Sequence, residues 1–351
     1  MDKARMKSMA DRVFRDVSGT MAAGLAWLGT ESGLFKALAA GGPMSHQQLA
    51  REAGLVERYV EEWAKGMVTA EYLDYDAENE TYSLPDEHAY LLASDGTDHF
   101  MGGLFAMGPI AMTVAPKVLQ AFRDGGGVRF DDYPDGCREA IDLMNRGSYD
   151  HRLVDYWLAQ MPDVVEKLTN GGRALDLGCG SGRVVATMAK AFPNSEITGV
   201  DPDAESVRVA QSWVDESGVG ANVSLVNATL DQISPDSKFD FISACDVLHD
   251  LPAPEKVLSE VRERLADDGV LFVIEPRAGD SLADNINPIG TMFYGFSVFH
   301  CMTQSLAQDG VGLGTCLGPA RTKALIQEAG FGTVDEVEIR SPVNLFYAAR
   351  P

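Results

Sequence analysis

The sequence predicts an α/β chain in which a mainly helical N-terminal domain precedes a doubly wound, mostly parallel seven-stranded sheet. Two observations carry that expectation. From Arg173 onward, short apolar runs alternate with amphipathic helical stretches, the pattern of a parallel sheet covered on both faces. Between the first run and the first helix lies a glycine-rich turn, Gly178 to Gly182. The 351 residues exceed the ~150 expected of one domain. A composition of 45% hydrophobic and 23% charged residues is that of an ordinary folded protein.

In the N-terminal part, apolar residues recur at helical spacing from Val13 to Leu38, with a break near Gly29 to Ser32 where Thr30 and Ser32 can cap a new helix. Gly41-Gly42-Pro43 stops it. Ser45 and Gln48 form a capping-box start for a helix reaching Ala53, Gly54 turns the chain, and Val56 to Val68 reads as a second helix. Tyr72 to Tyr75 and Thr81 to Leu84 flank a polar turn and predict a hairpin. Helix, turn, helix and hairpin in this order resemble a winged helix. Boundaries are expected at 1–95 for this domain and 96–165 for a helical connector and substrate cap. The sheet domain follows at 166–351, with an insertion at 276–317.

The expected strands are Ala174 to Leu177, Ile197 to Val200, Val223 to Val226, Phe239 to Ala244, Val270 to Ile274, Thr333 to Ile339 and Asn344 to Ala348, the last two as a hairpin. Helices are expected at Arg183 to Phe192, Ala204 to Ser217, Pro254 to Leu265 and Pro319 to Ala329. More than forty residues separate Ile274 from Pro319, far beyond the usual 2–6 of a strand-to-helix link. Insertions of that size usually serve function.

Charge and cysteines exclude several classes. With 29 basic and 52 acidic residues the net charge is −23, which repels phosphate backbones and anionic lipid, so neither nucleic acid nor membrane is expected as a partner. The helix that would read DNA carries Glu57, Glu61 and Glu62 against Arg58 and Lys65. No secretory signal opens the chain, and the longest uncharged stretch, Phe100 to Pro116, is too short and glycine-broken to span a bilayer. The five cysteines show no CxxC spacing, so neither disulfides nor a metal site is expected, and a cytoplasmic setting fits.

The chemistry concentrates at Asp176-Leu177-Gly178-Cys179-Gly180-Ser181-Gly182. Glycines let this turn approach a ligand, and free N–H groups at the helix start receive an anionic group. The spacing is GxGxG, with Arg183 where a dinucleotide fingerprint needs glycine, and Asp176 faces a pyrophosphate badly. An acid beside loop amides suits the ammonium and carboxylate of an amino acid. Asp201, nineteen residues after Gly182, is placed to take ribose hydroxyls. Adenosine plus an amino acid is S-adenosylmethionine.

Through the glycine loop, Gly199-Val200-Asp201-Pro202, Phe239-Asp240-Phe241-Ile242 and the closing hairpin, the chain from about Val164 onward resembles the Rossmann-like class I S-adenosylmethionine-dependent methyltransferases. The resemblance implies cofactor contacts from Asp176, Gly178, Cys179, Gly180, Gly182, Asp201 and Pro202, and from Cys245 and Asp246 at the end of the fourth strand. Many relatives carry an acid for adenine after the third strand; Asn227, Thr229 and Leu230 occupy that stretch here.

With its front domain, the chain is similar to the plant-type small-molecule O-methyltransferases and a related bacterial group. That group includes the S-methyltransferase of dimethylsulfoniopropionate synthesis, which acts on methylthiohydroxybutyrate. In the plant-type enzymes a His-Asp pair after the fourth strand supplies the general base, which implies His249 beside Asp250, with Glu275 or Asp250 orienting it. The family's following tryptophan is replaced by Leu251-Pro252. Aromatic surface with polar tips in the insertion selects Tyr294 and His300 as acceptor contacts. Tyr149, Arg152 and Trp157 are expected on the opposite wall, with Arg152 suited to a carboxylate. The acidic composition and altered His-Asp motif point to S-methylation of a thioether hydroxy acid. The alternatives are O-methylation of a small hydroxylated metabolite through His249 and a ligand-sensing DNA-binding regulator. A homodimer through the first ~95 residues is expected from the apolar Met21 to Leu28.

Overall fold

The computed structural model describes residues 1–351. Its first unit comprises residues 1–110 and 139–148. Asp2 caps α1 (Lys3–Glu31) by accepting from the Ala4 and Arg5 N–H groups, and α2 (Leu34–Gly41) follows. The break between them differs from expectation. Ser32 ends α1, and Gly33, at φ 75°, starts α2 without a side-chain cap, so a glycine turn does what Thr30 and Ser32 were expected to do. Ser45 and Gln48 do form the capping box of α3 (His46–Ala53), Gly54 closes it in the left-handed region, and α4 (Glu57–Thr69) follows.

The hairpin of β1 (Asp74–Asp76) and β2 (Thr81–Ser83) completes the winged helix, with α5 (Asp86–Leu92) after it. Its core joins Leu34, Phe35, Leu38, Leu49, Val60, Trp63 and Met67. The Trp63 ring meets Phe35 edge-on at 5.4 Å and donates its N–H to Leu25 O.

The second unit comprises residues 111–138 and 149–351. The stretch expected as a separate connector is therefore divided between the units. Local contacts explain the division. Arg146 pairs with Asp95 in the first unit, whereas the Val128 N–H donates to Thr303 O and Arg138 pairs with Asp203 in the second. Helices α6 (Gly102–Thr113), α7 (Ala115–Asp124) and α8 (Gly136–Arg152) carry the chain through it, and α9 (Pro162–Thr169) leads into the sheet.

The sheet runs β3 (Arg173–Leu177), α10 (Arg183–Ala191), β4 (Glu196–Asp201), α11 (Ala204–Ser217), β5 (Val223–Asn227), β6 (Phe239–Cys245), α12 (Pro254–Arg264) and β7 (Leu265–Pro276). Within the insertion, α13 (Pro288–Phe296) and α14 (Met302–Leu306) flank a π-helical turn at Ser297–Cys301. Then come α15 (Pro319–Glu328), β8 (Thr333–Glu336) and β9 (Asn344–Arg350). The strand order is β5-β4-β3-β6-β7-β9-β8. All neighbours are parallel up to β7, and β9 lies antiparallel between β7 and β8.

Near-continuous apolar strands are what a sheet buried on both faces requires. Alternate side chains serve separate cores: Phe241, Phe272 and Phe346 on one face, Ile242, Leu271 and Tyr347 on the other. The chain leaves β3 toward β4 on one side and leaves β6 toward β7 on the other, so the connections diverge between β3 and β6. Ligands of such sheets bind at that point, outside the carboxyl ends of the strands. No single helix is long and apolar enough to cross a membrane.

Candidate active site

The glycine loop leaves β3 at the switch point. Gly178 and Gly182 adopt φ of 67° and 78°, and a Cβ would stand 2.7 Å from Val247 Cγ2 at the first and 2.8 Å from Ala210 Cβ at the second. Both must be glycine to bend and to pack. Gly180, at φ 50°, has open space where a Cβ would be, so its backbone faces room for a ligand. The Gly178 and Cys179 N–H groups donate to Val200 O, tying the loop to β4. The Cys179 side chain is buried, and that burial pushes its thiol up.

Asp176, 2% exposed, accepts a 2.6 Å hydrogen bond from the Ser243 hydroxyl. Burial raises its carboxyl to about 7. Asp201 ends β4; its Oδ2 accepts from the Gly180 N–H at 3.0 Å and its Oδ1 from the Asp203 N–H at 2.8 Å. Burial raises it as well, against those bonds. Asp246, just beyond β6, sits at φ 56° and accepts from the Tyr149 hydroxyl and the Asn344 amide, each at 3.2 Å. Burial takes its carboxyl to about 7, although His249 pulls the other way. Cys245 precedes it as the last residue of β6.

The remaining cofactor-side expectations fall at the end of β5. The Asn227 amide donates to Asp201 O and Pro202 O, bracing the β4 turn. Thr229 is exposed and donates its hydroxyl to Asp231, while Leu230 is buried in the sheet's core. Arg138 grips Asp203 with two hydrogen bonds of 2.7 and 2.8 Å and lies over the Phe130 ring.

At the other end, the turn Leu248–Asp250 presents His249, 3% exposed, with Glu275 of β7 at 2%. His249 Nδ1 lies 2.8 Å from Glu275 Oε2, and Nε2 lies 3.4 Å from Asp250 Oδ1. Burial opposes charge on the ring, but Glu275 and then Asp250 outweigh it and hold the imidazole well above its ordinary range. Asp250 does not cap α12, whose N-cap is Ala253 without a side-chain bond.

The expected acceptor wall is only partly assembled from the chosen residues. His300 is buried beside Tyr133 and Phe130, next to Gln304, and burial pushes its imidazole below its ordinary range. Tyr294 is 41% exposed, with its hydroxyl on the Cys316 thiol. Trp157 packs in the core against Phe346 and Tyr149 and thus backs Tyr149 rather than facing solvent. Arg152 ends α8, partly buried. Sequence reasoning passed over Tyr133, Arg138, Cys301 and Asn344. Their partners lie 65 to 166 residues away or in the insertion, and no local spacing announces such contacts.

Residues 175–271 match the family model of a methyltransferase domain, and residues 20–94 match a winged helix-turn-helix domain of the Rv2258c-like type. The chain joins a winged-helix domain to a methyltransferase domain. A ubiquinone biosynthesis O-methyltransferase of Actinobacillus pleuropneumoniae is 31% identical over 119 residues, 31% of this chain and 49% of that protein. A trans-aconitate 2-methyltransferase of an Azoarcus species is 31% identical over 35% of this chain and 44% of its own length. The chain thus spans about half or less of the curated relatives it matches. Two solved structures share the whole fold, each with a TM-score of 0.67. One is a mitomycin 7-O-methyltransferase, 16% identical, with 100% of both chains covered. The other is human N-acetylserotonin methyltransferase in complex with S-adenosylmethionine, 19% identical, with 100% of this chain and 98% of that one covered.

A methyltransferase domain implies S-adenosylmethionine, and the donor set suits it. Asp176 and Asp246 are buried carboxylates whose hydrogen-bond partners are neutral hydroxyl and amide groups, so a ligand bearing ammonium and sulfonium charge supplies what they lack. Gly180 leaves the close approach open, and both Asp201 oxygens retain acceptor capacity for ribose hydroxyls.

Proposed function

We propose that the chain is an S-adenosylmethionine-dependent methyltransferase of small molecules that methylates an acceptor hydroxyl with His249 as general base. Asp176 and the loop amides hold the amino-acid end of the cofactor, Asp201 the ribose, and Asn227 and Thr229 the adenine edge. Bound S-adenosylmethionine supplies an electrophilic methyl group on a sulfonium. Glu275 accepts from His249 Nδ1–H, which fixes the tautomer that turns the Nε2 lone pair toward the acceptor, and it stabilises the imidazolium once the proton has moved. Tyr294 and His300 orient the acceptor, and the aromatic wall of the buried Tyr133 and the partly buried Phe130 excludes water. The observation that carries this reading is the buried His249–Glu275 pair, three residues beyond Asp246 on the strand exit that serves the cofactor. Metabolite mixtures incubated with enzyme and methyl-labelled cofactor test it by mass spectrometry: a labelled methyl ether supports it, and no labelled product from any mixture overturns it.

One observation favours a second reading. Both ring nitrogens of His249 face carboxylates, so Asp250 favours a proton on Nε2 where the base needs its lone pair. A thioether acceptor, such as methylthiohydroxybutyrate, needs no proton removed, and Arg152 would pair with its carboxylate. A labelled sulfonium product identifies that case.

For the front domain the proposal is assembly rather than DNA binding. In α4, Arg58 is paired with Glu61 and Glu62, and Lys65 with Glu61, so its cations are spent on its own acids. Along α1, Met6, Met9, Val13, Phe14, Val17, Met21 and Leu28 are exposed on one helical face, which a second copy would cover as a homodimer. Sedimentation as a monomer at micromolar concentration rejects the dimer, and sequence-specific retardation of DNA rejects the assembly-only role.

A further inference from the structure

Cys301 reaches the catalytic turn from the far side of the insertion. Its sulfur, a His249 nitrogen and an Asp250 carboxylate oxygen all lie within 4.8 Å of one another. Three features distinguish this cluster from a chance meeting of polar groups. Glu275 holds His249 by Nδ1 at 2.8 Å, the carboxylate–histidine arrangement that orients an imidazole for a metal at its other nitrogen. Asp250 Oδ1 is buried and receives no hydrogen bond, although it stands 3.4 Å from His249 Nε2. Cys301 closes the π-helical turn Ser297–Cys301, a local departure from α-helix that is frequent at functional sites.

Ligand spacing agrees with a cation. Around tetrahedral zinc, nitrogen and oxygen donors bound at about 2.0 Å sit about 3.3 Å apart, and nitrogen and sulfur about 3.5 Å. The His249–Asp250 pair is at that separation already. The Cys301 sulfur lies within 4.8 Å of both. One thiolate, one imidazole and one carboxylate make a donor set for a borderline-soft divalent ion, with a fourth position left to water.

We propose that His249, Asp250 and Cys301 bind a zinc-type divalent cation, and that the bound ion blocks methyl transfer by occupying the His249 nitrogen that serves the acceptor. Binding forms bonds from the metal to the His249 nitrogen lone pair, the Asp250 oxygen and the Cys301 sulfur, and the proton displaced from the thiol goes to solvent. The inhibitory half rests on His249 as the base; the binding half stands apart from it.

Cobalt(II) added to chelator-treated full-length protein tests the binding half without turnover. The expected result is a thiolate-to-cobalt charge-transfer band that saturates at one equivalent and is displaced by zinc. Cys301→Ser abolishes it, Asp250→Asn weakens cobalt binding tenfold or more, and Cys316→Ser retains it. No such band in the unaltered protein overturns the proposal, as does a band unchanged in both Cys301→Ser and Cys301→Ala. Cofactor calorimetry on each variant shows that it is folded. In turnover assays, the zinc concentration for half inhibition rises tenfold or more in Cys301→Ser, relative to that variant's own metal-free rate. An equal inhibition constant in the two proteins overturns the inhibitory half. If no acceptor is ever methylated while the cobalt band appears as described, it is the reading of His249 as a base that fails, and the metal site stands.

Discussion

The two ends of the candidate site treat buried carboxylates in opposite ways. At the glycine loop, Asp176 and Asp246 are met by a serine hydroxyl, a tyrosine hydroxyl and an amide, and burial lifts both to about 7. At the turn Leu248–Asp250, Glu275 and Asp250 face an imidazole, and it is the imidazole that is lifted. The first end holds no protein cation against its carboxyls, and the second carries its own. The same residue type thus leaves one carboxyl neutral and another charged, according to its company.

The contrast can be broken most sharply at its second end. Replacing His249 by alanine should lower kcat about a hundredfold or more if a hydroxyl is methylated, with cofactor affinity little changed. Near-normal turnover in that variant would remove proton transfer from the catalytic turn and leave the thioether reading. At the first end, Gly180→Ala places a methyl in the open space and strains a backbone at φ 50° by roughly 1–2 kcal/mol. Calorimetry should show cofactor affinity falling about tenfold or more, because the strain is present with and without ligand whereas the methyl fills the space the ligand needs.

The pH dependence sharpens the first end further. Asp176 and Asp246 have folded values near 7, above the ordinary carboxylate range, so without ligand they are largely protonated below it. Stability from that protonated state is full below about pH 4 and is lost as pH rises through 7. A cationic ligand favours the ionised form, so cofactor binding should strengthen between pH 6 and 8 and release protons. Heats measured in buffers of different ionisation enthalpy report that release directly. A pH-independent affinity would mean that these carboxyls do not face the cationic cofactor. The smallest effect belongs to Arg138→Gln, which frees Asp203 from a partly exposed pair and should cost no more than about 1 kcal/mol in thermal unfolding.

What the sequence shows of this molecule follows the range of the forces involved. The strands from β3 to β7, the capping box at Ser45 and the glycine loop are written in residues a few places apart, and the structure has them within a residue or two, apart from an earlier start to β7. Asp176, Gly180 and Asp201 do meet at one strand end, because a βαβ unit admits one hand of crossover. Tyr149 on Asp246, Asn344 on Asp246 and Cys301 beside His249 depend on how separated segments pack, and nothing in their neighbours signals it. Leu230 illustrates the limit from the other direction. An apolar residue after β5 reads equally well as an adenine contact or as core, and the structure buries it.

The strand order carries a consequence for how the protein is made. β8 has no partner in the sheet except β9, and β9 also pairs along the edge of β7, with Glu275 opposite Leu345. During synthesis β8 must therefore wait, unpaired, until residues 344–350 arrive and slot in beside an older strand. Only then does β7, the strand that carries the partner of His249, gain its second neighbour in the sheet.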